Sequence, residues 1–116
     1  MFHREAVAIN GELAWMTKGR FGKRERQRAY VRTLNLSLDG ARIGMKGELP
    51  FSVGAQARLQ LGISFSDVKV LEVTHHGGNT FLRVSFLSPG LDFVATVEER
   101  LPVITENRAF YEGKWV

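Results

Sequence analysis

Two neighbouring stretches carry the side chains most able to act on another molecule. "NLSLDG", Asn35 to Gly40, sets an amide, a hydroxyl and a glycine at the spacing Asn-x-Ser-x-x-Gly. Just ahead of it, "KGRFGKRERQR" crowds Lys18, Arg20, Lys23, Arg24, Arg26 and Arg28 against the single carboxylate of Glu25. The first stretch is either a plain turn or a turn that also holds a ligand. Asparagine, serine and glycine can each shape a turn unaided, through an Asx-turn, a local backbone cap and a positive φ. The second is a candidate surface for an anionic partner, with Arg20, Lys23, Arg24 and Arg28 as its contacts, or else a solvated loop.

The usual catalytic constellations are missing from the sequence. His3, His75 and His76 are the only histidines. His75 and His76, adjacent on a strand, point to opposite faces and do not easily share a metal. There is no Gly-x-Ser-x-Gly nucleophile turn, no Walker-type phosphate loop and no Gly-x-Gly-x-x-Gly before a helix. The carboxylates are scattered, and Glu98-Glu99 belongs to a helix surface. A binding module is expected rather than an enzyme, with no metal and no resident cofactor.

The rest of the composition sets the scale. A chain of 116 residues with 44% hydrophobic residues fits one domain with one core. It has no cysteine, which suits a reducing compartment. No apolar run approaches the roughly 20 residues of a membrane helix, and "MFHREAVAIN" lacks a secretory h-region. A cytoplasmic protein without membrane insertion is expected. A net charge of +4 and a pI near 9.9 favour anionic partners.

The elements that must position these residues are mostly strands. Val7, Ile9, Gly11, Leu13 and Trp15 form one face of a first strand, with a bulge or bend expected at Gly11. Residues Thr17 to Gln27 read as a connecting loop, and "RAYVRTLNL" as the second strand. "ARIGM" follows the Asp39-Gly40 turn as the third. "AQARLQLGISF" alternates throughout, with Ala55, Ala57, Leu59, Leu61, Ile63 and Phe65 on one side, and reads as one half-buried strand. In "DVKVLEVTHH" the phase slips, predicting a bulge near Val70. "HGGN" is a turn into "TFLRVSF", which points Leu82, Val84 and Phe86 inward. Leu91, Val94, Val97 and Leu101 then recur at helical spacing, with Ser88 as cap and Pro89 at the helix start. The expected fold is mainly β: a six-stranded antiparallel barrel over about residues 4–87, a C-terminal α-helix over about 90–101, and a tail over 102–116. Phe110, Tyr111 and Trp115 of that tail could dock on the barrel or on another molecule.

Asn35, Ser37 and Gly40, at the end of one strand and the start of the next, resemble the [Asp/Asn]-x-Ser-x-x-Gly signature of the PilZ domain, a family of bacterial receptors for cyclic di-GMP. The context agrees. "NLSLDGARI" continues as the family does, "LPFSVGAQARLQL" is similar to its Pro-x-x-x-Gly turn into an alternating strand, and "LEVTHHGGNTFLRVSF" to its late hairpin. The resemblance covers roughly Arg4 to Leu101. It implies a nucleotide site at the signature turn, completed by an Arg-x-x-x-Arg clamp ahead of the first strand. Guanidinium suits that task because its planar fork pairs with phosphate or guanine and stacks on the base.

Arg24 and Arg28 have the clamp's spacing but not its place. Arg28 lies nine residues of strand from Ser37, roughly 30 Å at ~3.3 Å per residue. Pairing of the first two strands instead brings the start of the first beside the signature turn, so Arg4 matches the second clamp arginine. The first would fall before Met1, so the chain has either lost half the clamp or is a fragment. The resemblance thus implies cyclic di-GMP at Arg4, Asn35, Ser37 and Gly40, with Arg42 as a further phosphate partner, and a downstream protein partner. The alternative is a PilZ-like adaptor that binds a protein and no nucleotide. Nucleic acid is not expected as a partner, because no aromatic stripe lies on a basic strand face. A monomer and a dimer fit the sequence equally.

Overall fold

The computed structural model describes residues 9–18 and 20–101. Six strands, β1 (Ile9–Lys18), β2 (Arg24–Leu36), β3 (Gly40–Lys46), β4 (Gln56–Leu61), β5 (Ser64–His76) and β6 (Asn79–Leu87), form a closed antiparallel barrel in the order β1-β2-β3-β6-β5-β4. A helix, α1, occupies residues 91–101. The expected architecture is the observed one. Closure comes from β1 pairing with β4 over Glu12↔Gln60, Leu13↔Leu59 and Ala14↔Arg58.

Period-two patterning builds the core. β4 alternates exposed and buried without a fault, placing Ala57, Leu59 and Leu61 inward. Leu13, Val31, Ile43, Val68, Leu82 and Val84 complete the interior from the other strands.

The ends of the barrel are closed differently. Residues 47–55 cross one end, where Phe51 packs on Trp15 with ring centroids 4.7 Å apart. Buried Thr80 pins this segment, its hydroxyl accepting the Leu49 N–H at 2.8 Å and donating to the Gly47 carbonyl at 2.6 Å. Thr80→Val keeps the shape and removes both bonds, so it is expected to cost about 2 kcal/mol in urea unfolding and to speed amide exchange at Leu49. The helix closes the opposite end through Phe93 and Val97, and the Ser64 hydroxyl donates to Thr96 Oγ1 at 2.8 Å.

Several local expectations change. The "AQARLQLGISF" stretch is two strands: a two-residue turn at Gly62-Ile63 reverses the chain, with Leu61 opposite Ser64. Gly62 at φ 64 supplies the left-handed first position of a type II′ hairpin, and Ile63 is left 98% exposed. Phe65 falls on the outer face for the same reason. Gly11 is neither bulge nor bend; it pairs regularly with Val31, and a Cβ there would stand 2.6 Å from the Gln60 carbonyl oxygen. Glycine at that position lets β4 come in against β1.

The supposed loop from Thr17 to Gln27 is largely paired strand, in the register Met16↔Arg26, Thr17↔Glu25 and Lys18↔Arg24. At the helix start Ser88 is not the cap. Helical residues begin at 91, and the Val94 N–H donates to the Gly90 carbonyl at 3.0 Å. Leu91 is exposed and Phe93 is buried in its place, while Val97 is buried and Leu101 packs against the core, so one residue of the expected stripe departs from it.

Candidate functional site

The signature turn is a tight hairpin that largely satisfies itself. The Ser37 N–H donates to the Gly40 carbonyl at 2.9 Å. The Gly40 N–H in return donates to Ser37 Oγ at 3.2 Å. The serine hydroxyl lies 2.6 Å from Asp39 Oδ1, to which it donates, with the Gly40 carbonyl a second acceptor at 3.1 Å. A further bond, from the Phe86 N–H to the Asp39 carbonyl at 2.9 Å, ties the turn to β6.

Gly40 does not supply the positive φ expected of a turn glycine. The atom that a Cβ would strike is the Val84 carbonyl oxygen of the neighbouring strand. The requirement for glycine is therefore imposed by the barrel wall.

Asn35 reaches the outer surface through a bulge. Val31 and Thr33 face inward, and unbroken alternation would turn residue 35 inward too. The β2–β3 register shifts between Thr33 and Asn35, which leaves Leu34 and Asn35 both outside and returns Leu36 to the core. A second bulge does the same on β5. The β5–β6 register shifts between Val70 and Glu72, where the sequence predicts it, and exposes Glu72.

The two bulges converge on one row. Asn35 pairs with Arg42, Arg42 with Arg83 and Arg83 with Glu72, across β2, β3, β6 and β5. Glu72 lies between the two guanidiniums, 3.6 Å from Arg42 and 3.6 Å from Arg83. All three side chains are about half exposed, so each ion pair contributes at most about 1 kcal/mol and yields readily to a stronger anion. Two arginines, one carboxylate and one amide thus form a polar strip with a surplus positive charge beside the turn.

Ile9 pairs with Thr33, which sets the start of β1 alongside the end of β2, as the hairpin argument requires. Arg4 itself, like Phe110, Tyr111 and Trp115, lies outside the described residues. Arg83 and Glu72 were missed in the sequence because cross-strand neighbours become visible only once the register is known.

Lys23, Arg24 and Arg28 lie at the far end of the β1–β2 hairpin from Ser37. Arg20 belongs to the same hairpin tip. Arg28 pairs with Glu12 at 3.0 Å. Arg24, Arg26 and Arg28 share the outer face, a consequence of alternation that adds Arg26 to the basic set. Beside them Arg58 covers the Phe65 ring at 4.6 Å and binds Asp67 at 3.1 Å.

No protein-family model matches the chain, and no curated protein matches it. What fold and site define together is a small closed antiparallel barrel with one terminal helix, carrying a polar strip beside its β2–β3 turn. No helix among the described residues is long and apolar enough to cross a membrane.

Proposed function

We propose that the chain is a PilZ-type receptor domain that binds cyclic di-GMP on the outside of the barrel, at the β2–β3 turn, and passes the signal to a protein partner in the bacterial cytoplasm. The observation that supports this best is the pairing of outward-facing Asn35 with Arg42, next to the Ser37–Gly40 turn and alongside the start of β1. In this reading Arg42 and Arg4 hold phosphate or guanine by paired charge-assisted hydrogen bonds. Asn35 offers its amide to a guanine edge, Ser37 and Gly40 shape the turn beneath the ligand, and Arg83 adds positive charge beside it. Glu72 releases Arg42 when a phosphate takes its place.

Calorimetric titration of the full chain with cyclic di-GMP tests the reading. Saturable heat at micromolar ligand is expected, with Arg42→Ala weakening binding about tenfold or more, the size of one charged hydrogen bond. An absence of both heat and thermal stabilisation at high micromolar ligand rejects it.

A second reading, a protein-binding adaptor without nucleotide, is favoured by one observation. The Ser37 hydroxyl and the Gly40 N–H are already engaged within the turn, and Arg42 already has Glu72. Capture of a partner that is indifferent to cyclic di-GMP supports the adaptor; nucleotide-dependent capture supports the receptor.

A further inference from the structure

β1 and β4 close the barrel over three residue pairs and then part. Beyond Ala14, β1 runs on to Lys18 paired only with β2 among the described residues, while the start of β4 pairs only with β5, as Gln56↔Lys69 and Ala57↔Val68. Their divergence opens a cleft of about 540 Å³ between Ala14, Trp15 and Met16 on one wall and Gln56, Ala57 and Arg58 on the other. Arg24 and Arg26 of β2 also line it, and Asp67 is the one carboxylate among its lining residues. Arg58 is shared with Asp67, which leaves Arg24 and Arg26 to set the sign of the cleft.

The charge here is out of proportion to the rest of the molecule. Residues 18–28 hold six lysines and arginines against one glutamate, a larger surplus than the +4 of the whole chain. An open strand edge adds a second requirement, because its N–H and C=O groups are a template for another strand.

We propose that this cleft receives an extended, acidic segment of a partner protein, added as a strand along the β1 edge with its carboxylates on Arg24 and Arg26. The two arginines stand two residues apart on one face, roughly 6.6 Å along the strand, the repeat at which an extended peptide presents side chains to one side. Main-chain pairing supplies affinity, and alternate acidic residues supply selectivity. A nucleic acid would leave the edge N–H and C=O groups without strand partners, and Trp15, the aromatic residue that lines the cleft, is already packed on Phe51. A planar lipid surface would not enter a cleft between two strands. The site lies at the opposite end of the hairpin from Ser37–Gly40 and does not rest on the nucleotide reading.

The test is selection of a random-peptide display library on the full chain, followed by fluorescence anisotropy of the recovered peptides. Acidic residues at alternate positions are expected. Arg24→Glu with Arg26→Glu should weaken binding about tenfold or more while leaving thermal unfolding and any cyclic di-GMP titration unchanged, since both side chains are exposed. N-methylation of the peptide at alternate residues should abolish binding in at least one of the two phases. Failure to recover peptides, recovery without acidic bias, indifference to the charge reversals or to N-methylation in both phases, or tighter binding of a single-stranded DNA than of any peptide, would each overturn the proposal.

Discussion

Gly40→Ala is expected to destabilise the barrel by about 3 kcal/mol, at the upper part of the usual range for overpacking, read as a lower urea midpoint at unchanged slope. The added Cβ would collide with the Val84 carbonyl oxygen, an atom fixed by the β3–β6 ladder in the register Gly40↔Ser85 and Ala41↔Val84. No rotamer can relieve a clash between a Cβ and a main-chain oxygen, so the strands themselves must separate. The Phe86 N–H bond to Asp39 lies in the path of that movement. Against a typical total stability of roughly 5–15 kcal/mol, this is a large fraction. The consequence for function is specific: loss of ligand binding in a Gly40 variant reports the fold, whereas loss in Asn35→Ala or Arg42→Ala, both on the exposed face, reports the site. Measuring the urea midpoint and the ligand titration on all three variants separates the two causes.

The barrel was legible because its strands keep clean alternation, and alternation survives even where local propensities are mixed. The phase slip after Val70 was legible for the same reason, since Leu71 and Val73 break a pattern that Val68 and Val70 had established. The matching slip at Leu34 was harder to read, because Thr33 and Asn35 are both polar and no run of apolar residues marks the change of face. Yet that bulge is what turns Asn35 outward. Gly62-Ile63 was missed through an accident of composition: Ile63 and Phe65 continue the apolar period across the turn although both lie outside the core. The basic stretch looked like a loop because charge and glycine dominate it, but Arg24 and Arg26 are held in register by Met16 and Lys18 on the opposing strand. The cleft between β1 and β4 had no local signal at all. It follows from where two strands distant in sequence stop pairing.

The closing helix provides the largest expected effect. Phe93 is 1% exposed, meets the Phe86 ring edge-on at a centroid distance of 5.0 Å, and with Val97 carries the contact between helix and barrel. Phe93→Ala is therefore expected to cost about 3–5 kcal/mol in urea unfolding, combining lost burial, the cavity left behind and the aromatic pair. A short helix draws most of its stability from such packing, so the loss should appear first as faster amide exchange within residues 91–101, ahead of any change in the β3–β6 ladder. Leu91→Ala is the internal control. Spacing alone places Leu91 on the buried stripe, but it is 88% exposed, and its removal should change stability by no more than about 0.5 kcal/mol. If Leu91 instead turns inward in place of Phe93, Leu91→Ala becomes the costly variant, so one pair of unfolding curves decides which of the two residues closes the barrel.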